Sequence, residues 1–301
     1  MRILTRLIAA VAALLFLTSP GFAPIGARTV AKGSIARPAL WVVKDADTTI
    51  YLFGTIHVLR PDVRWLHGPV AKAFDSSQSL VLEVLTDNKG EVAAKTARLA
   101  IDPDGPPLTE KLDPALRTQY LALLGKLGVP AQQLEPVHPW FAALTLSILP
   151  LEKLGYSASA GVEDILTKRA RTAGKTLTAL ESMDEQLGFF AGLPEKTQLT
   201  FLAATIDDAA KAETEIGQMV RNWSAGRPDA LASEMNDSLK DMPDLAEALL
   251  FSRNRRWAHW IAKRMDQPGT VFIAVGAGHL AGQGSVLDTL AAAGIPVKRV
   301  E

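Results

Sequence analysis

The sequence predicts an α/β fold: a mixed β-sheet formed by the N- and C-terminal parts of the chain, with a large helical insertion over it. Two observations carry this. Short runs rich in β-branched and aromatic residues occur near the start (residues 40–43, 49–53 and 79–84) and again at the end (residues 270–275 and 296–300). Between them, about residues 110–265 read mostly as helix, with apolar residues recurring at helical spacing. The economical arrangement is one sheet assembled from both ends.

The elements follow in order. Residues 1–23 have a basic start (Arg2, Arg6), an unbroken apolar run over residues 7–17, a break at Thr18-Ser19-Pro20 and small residues before position 24. This is the pattern of a signal peptide, and the run is shorter than the roughly 20 residues a spanning helix needs. The expectation is an exported protein, periplasmic or secreted, with no stable membrane span after cleavage. Residues 24–38, rich in Gly, Pro, Ala and basic side chains, are expected to be a disordered lead-in to a domain over residues 39–301. Two strand-like runs around Asp45-Ala46-Asp47 predict a hairpin. Residues 69–74 predict a short helix, and residues 79–84 a short strand. Residues 86–107 predict a helix and a loop. Asp113 followed by Pro114 marks a helix start. Leu116, Tyr120, Leu123, Leu124 and Leu127 then recur at helical spacing, and residues 174–180 interrupt the helices as a strand. Residues 270–275 form a strand, a glycine-rich turn follows, and a helix over 285–293 closes at Gly294 before a last strand.

Composition bounds the function. There is no cysteine, which excludes disulfides and thiolate metal ligands. Acids and bases balance at 32 each, so nothing in the charge calls for nucleic acid as a partner. The chemistry must come from His, Glu and Arg. His57 follows a strand in Gly54-Thr55-Ile56-His57, and His279 follows another in Gly276-Ala277-Gly278-His279. In open α/β sheets, ligands collect at the carboxyl ends of strands, and neutral imidazole serves both as a metal ligand and as a general base. Glu83 interrupts an apolar run, where a carboxylate must reach solvent, pair with a cation or bind a metal. Glu181 ends a strand candidate, and Glu163 and Asp164 follow Gly161-Val162; such acids also serve simply as helix N-terminal charges. Arg253 and Asn254 either clamp an anionic group or belong to a solvated basic helix face. His67, His138 and His259 read as structural. Gly276-x-Gly278-x-x-Ala281 matches a loose dinucleotide fingerprint, but the chain ends before the further βα units such a site needs.

These residues resemble the TraB/GumN family. The resemblance runs through residues 40–58 with Gly54-Thr55-Ile56-His57, then Leu80-Val81-Leu82-Glu83. It continues in Gly161-Val162-Glu163, where the family pattern usually has Asp, and in Gly174-Lys175, Leu180-Glu181-Ser182 and Glu185-Gln186-Leu187. It ends with Arg253-Asn254-Arg255-Arg256-Trp257 and Val275-Gly276-Ala277-Gly278-His279-Leu280-Ala281-Gly282. The resemblance implies a possible metal-dependent activity, because animal Tiki proteins of the same superfamily are metalloproteases. They use divalent cobalt or manganese and depend on paired Gly-x-x-His motifs and a glutamate, at positions matching His57, His279 and Glu83. Other branches are esterase-like or bind haem iron.

The leading expectation is therefore a hydrolase acting on a peptide or small molecule with a divalent metal (Mn, Co or Zn). His57, His279, Glu83 and Glu181 are its candidate ligands, and Arg253 or Asn254 steadies the substrate or oxyanion. Two alternatives stand beside it. One is a metal-independent hydrolase with a His general base. The other is a non-enzymatic protein that binds a peptide, or haem through His57 or His279.

Overall fold

The computed structural model describes residues 34–86, 88–236 and 242–301. The expected signal peptide and most of the expected lead-in lie outside these residues. The end of that lead-in is tied down. Ile35 bridges Arg64, the Ala36 N–H donates to the Arg64 carbonyl at 2.9 Å, and the Ala36 carbonyl meets His67 Nε2 at 2.9 Å. The folded part thus begins before residue 39.

Six strands form one mixed sheet: β1 (Leu40–Lys44), β2 (Thr48–Thr55), β3 (Ser79–Leu82), β4 (Thr176–Ala179), β5 (Gly269–Gly276) and β6 (Lys298–Val300), in the order β4-β3-β5-β2-β1-β6. The hairpin β1–β2 is antiparallel, and its turn is closed by Asp45 Oδ1, which accepts from the N–H groups of Asp47 (3.1 Å) and Thr48 (2.8 Å). β6 pairs antiparallel with β1, while β2, β5, β3 and β4 run parallel. β4 comes from inside the helical middle; the other five come from the two ends of the chain.

The helices are α1 (Gly68–Ser76), α2 (Lys89–Ala100), α3 (Leu108–Lys111), α4 (Pro114–Leu127), α5 (Pro139–Lys153), α6 (Val162–Thr172), α7 (Met183–Ala191), α8 (Glu195–Ala209), α9 (Ala212–Ser224), α10 (Pro228–Asn236), α11 (Pro243–Ala246), α12 (Ser252–Arg264) and α13 (Val286–Ala292). At the start of α4, Asp113 accepts from the N–H groups of Ala115 and Leu116, both at 2.9 Å. Gly294, past the end of α13, has φ +76°, a left-handed conformation that glycine adopts without steric cost.

Alternation along the strands builds a core on each face of the sheet. Phe53, Leu80, Leu82, Phe272 and Ala274 face one way, into the large core shared with α5, α8 and α9. Ile50, Leu52, Val81, Val271, Ile273 and Val275 face the other, against Trp257 and Ile261 of α12 and Leu290 of α13. The insertion therefore does not lie on one side only: its last helix, α12, crosses to the opposite face. Each fully buried large apolar side chain contributes about 1.5–3 kcal/mol. Among the described residues, no helix is long and apolar enough to cross a membrane.

Candidate functional site

The sheet register brings the two Gly-x-x-His turns together. β2 pairs with β5 so that Gly54 lies opposite Val275 and Thr55 opposite Gly276. On the other side of β5, Leu82 lies opposite Ala274, so Glu83 emerges beside Gly276. One strand further on, the Glu181 N–H donates to the Glu83 carbonyl at 2.9 Å. Four parallel strands thus end in His57, Glu83, Glu181 and His279. The turns also touch: a Cβ on Gly54 would lie 3.1 Å from Ala277 Cα, so only glycine fits there without displacing the second turn.

The first turn is held from outside the sheet. Trp223 of α9 donates its indole N–H to the Gly54 carbonyl at 2.8 Å. The start of α6 presses on the other end. A Cβ on Gly161 would come within 2.0 Å of the His57 carbonyl oxygen, and the Val162 N–H donates to the Ile56 carbonyl at 3.2 Å. This contact delivers Glu163, whose Oε1 lies 2.5 Å from His57 Nδ1 and accepts from the Thr55 hydroxyl. The His57–Glu163 approach is close but not aligned as a hydrogen bond, so it is best described as a charge contact. His57 Nε2 is buried without a hydrogen-bond partner among the described residues.

Glu83 and Glu181 are joined by Arg253, which is wholly buried. Its Nη2 donates to Glu83 Oε2 (2.7 Å) and Glu181 Oε2 (2.8 Å), its Nε to Glu181 Oε1 (3.0 Å), and its Nη1 to the Leu249 carbonyl (3.0 Å). Leu249 belongs to a π-helical turn, Glu247–Phe251, that leads into α12. Such turns recur at functional sites. Glu181 also accepts from Arg256 (2.8 Å) and the Trp257 indole (3.0 Å). Glu83 Oε1 accepts from the Gly276 N–H at 2.6 Å, and Gln186 reaches Oε2 at 3.4 Å. Arg253 and Asn254 thus do not form a solvated basic face; only Arg255 and Arg256 do.

In the second turn, His279 Nδ1 lies 2.7 Å from Asn254 Oδ1 and Nε2 lies 3.2 Å from Arg253 Nη1. Asn254 donates its amide N–H to the Gly284 carbonyl at 2.8 Å, which orients its Oδ1 as the acceptor. His279 therefore carries its proton on Nδ1, and Nε2 accepts from the guanidinium. Trp257 packs against the ring at 4.4 Å between centroids.

Electrostatics separate the two histidines. Burial, the largest single influence, pulls the His57 pKa down, but Glu163 through its charge and close contact, together with the charge of Glu83, more than offsets it, and the net shift is upward. For His279, burial and the Arg253 charge act together and lower the pKa to about 3. Burial would raise the Glu83 pKa, yet Arg253, the two histidines and the Gly276 N–H bring it down to about 2. Burial also opposes the charge on Arg253, but Glu83 and Glu181 more than offset it.

The donors do not fit a divalent ion as arranged. Both oxygens of Glu83 and Glu181 accept hydrogen bonds, and His279 is engaged at both nitrogens. Among the described residues, no three His, Asp or Glu side chains are grouped so as to hold a metal. What remains is a convergence of side chains beside Gly276. A Cβ there would meet Glu83 Oε1 at 3.1 Å, His279 Cδ2 at 3.6 Å and His57 Nε2 at 3.7 Å. The three side chains are buried: His57, Glu83 and His279 are each under 5% exposed. A groove of about 890 Å³, lined by Pro243, Leu250, Phe251, Arg255, Gln283 and Gly284 among others, reaches the outer shell of the cluster through Gly284.

The structure brings together His57, Glu83, Glu181, Arg253, Asn254 and His279, all six of the residues singled out as site candidates. It adds Glu163 and Trp257 to them. Glu163 resembles an ordinary first-turn helix acid. The burial of Arg253 is signalled only by its spacing of four and eight residues from Trp257 and Ile261. The dinucleotide reading fails in structure as in sequence: residues 277–280 form a 3-10 turn, and α13 starts only at Val286. His67 and His138 sit at helix starts, and His259 is exposed.

The model of the TraB/PrgY/gumN family matches residues 39–299. The chain is 24% identical over 257 residues to an uncharacterised protein, YbaP, of Escherichia coli (strain K12), covering 84% of this chain and 92% of YbaP. It is also 24% identical over 267 residues to an uncharacterised protein of Treponema pallidum (strain Nichols), covering 83% of this chain and 79% of that protein. No solved structure matches.

Proposed function

The chain belongs to the TraB/PrgY/gumN family; from that premise and the polar cluster at its strand ends, we propose that it is an exported hydrolase in which His57 acts as general base on a water molecule bound beside Glu83. The observation that carries this reading is the buried His57 Nε2, which has no hydrogen-bond partner among the described residues and lies with Glu83 Oε1 beside Gly276. A buried polar nitrogen without a partner calls for a water or a ligand. A water held there would form its new bond to an electrophilic carbonyl carbon as its proton passes to Nε2. His57 would then return that proton to the departing amine or alcohol. Glu83 would orient the water as an acceptor. Arg253 would keep Glu83 ionised and fixed, and His279 would in turn fix Arg253.

The substrate class is a peptide or a small ester or amide. A panel of peptides and chromogenic esters, assayed with the purified protein and His57→Ala in parallel, tests this. Turnover that survives in His57→Ala would sink it.

A metal-assisted variant has one observation in its favour, the same unpartnered Nε2 beside a carboxylate. It would require Arg253 to release Glu83. Elemental analysis, together with activity after exhaustive chelation, separates the two: retained activity without metal supports the imidazole base. Export rests on residues 1–23 and is tested by cell fractionation and N-terminal sequencing of the mature protein.

A further inference from the structure

Glu163 belongs to the working machinery rather than to the helix it begins. We propose that Glu163 is a positioning residue that holds the His57 imidazole with its proton on Nδ1 and the lone pair of Nε2 free to accept another. The inference rests on the reading of His57 as the base, and deepens it.

Three independent contacts carry it. Glu163 Oε1 lies 2.5 Å from His57 Nδ1. The same oxygen accepts from the Thr55 hydroxyl, so it is anchored to the last residue of β2 as well as to α6. The backbone then fixes the distance between the two groups. Gly161 allows the start of α6 to lie against the His57 carbonyl, and the Val162 N–H bonds to the Ile56 carbonyl at 3.2 Å. Carboxylate and imidazole thus sit on one locked unit made of the turn after β2 and the first turn of α6. At 2.5 Å an unprotonated nitrogen and a carboxylate oxygen would set two lone pairs against each other, so the contact favours the proton on Nδ1. In neutral imidazole that leaves Nε2 free to take another. A helix-dipole role alone would require neither Thr55 nor His57 as a neighbour.

The test has a readout that does not depend on turnover. The imidazole nitrogens of His57 are assigned by 15N–1H correlation in the purified protein, with His57→Gln as the assignment control. They are then compared, at one slightly alkaline pH, with Glu163→Ala and Glu163→Asp. In the parent, Nε2 should show the shift of an unprotonated nitrogen. In Glu163→Ala the signal should move toward the other tautomer or an average of the two, and Glu163→Asp should restore part of the parent pattern. In turnover, Glu163→Ala should lower kcat by about 10²-fold or more with KM little changed, as expected when the acid behind a general base is lost. Thermal melts guard against simple unfolding. An unchanged nitrogen pattern in a folded Glu163→Ala protein overturns the proposal. If the pattern changes while His57→Ala remains active, the positioning role stands and the hydrolase reading fails.

Discussion

The two Gly-x-x-His turns are near copies in sequence and opposites in physics. Both follow parallel strands, they sit side by side in the sheet, and each anchors its imidazole through Nδ1. The anchor differs. His57 faces a carboxylate, and its Nε2 has no partner among the described residues; His279 faces a neutral amide and spends its Nε2 on Arg253. One pKa rises and the other falls to about 3. A repeated motif therefore need not mean a repeated role: the neighbours supplied by α6 and α12 decide which histidine can take up a proton.

Exchanging each histidine for alanine gives the sharpest break of this comparison. His57→Ala should lower kcat/KM by about 10²- to 10⁴-fold, the range for loss of a general base. Its unfolding curve in urea should shift less than those of the two variants that follow. Arg253→Met should act in the opposite sense, on the fold first. It strands Glu83 and Glu181 in the interior, and removing one partner of a buried ion pair costs about 3–5 kcal/mol. Denaturant unfolding would read this; a loss under about 1 kcal/mol would mean that the acids find water instead. His279→Ala should fall between the two. It removes the partner of the Asn254 carbonyl and one of the two partners of Arg253 Nη1, which keeps the Leu249 carbonyl, at about 1–3 kcal/mol in stability. Part of the activity should remain, since in this reading no proton moves through His279. Equal loss of activity in the two histidine variants would erase the distinction.

The fold was more legible than the division of labour. Strands at both ends, the hairpin around Asp45 and the helix start at Asp113 follow from local chemistry that tertiary contacts did not override. Glu83 was legible as an anomaly, because a carboxylate inside Leu80-Val81-Leu82-Glu83-Val84 needs a partner. Its partner was harder to name. Arg253 lies in Arg253-Asn254-Arg255-Arg256, and only the 3.6-residue turn of α12 sorts it and Asn254 inward and Arg255 and Arg256 outward. Glu163 was harder still: an acid two residues into a helix looks the same whether it serves the helix dipole or a histidine over a hundred residues earlier in the chain. No local pattern reports that the start of α6 is seated on the turn after β2; that information lies in the fit of Gly161 against His57.

The smallest expected effect is the one that tests both histidines in a single titration. A group whose pKa is raised by folding adds stability below its unfolded value and loses that contribution as pH climbs through the folded value. His57 is such a group, so its share of stability should fade above about pH 6.5. Activity should rise over the same interval, because the base works only when neutral. His279 behaves in reverse. With a folded pKa of about 3, it lags the unfolded chain in taking up protons below pH 6.5, and stability falls as pH drops toward 3. Glu83, at about 2 when folded, extends that loss between its ordinary value near 4.5 and 2. Urea unfolding measured across pH should thus show an acid limb that weakens in His279→Gln and an alkaline limb that weakens in His57→Gln. If both variants flatten the same limb, the two turns are electrostatically alike and the division of roles between them is wrong.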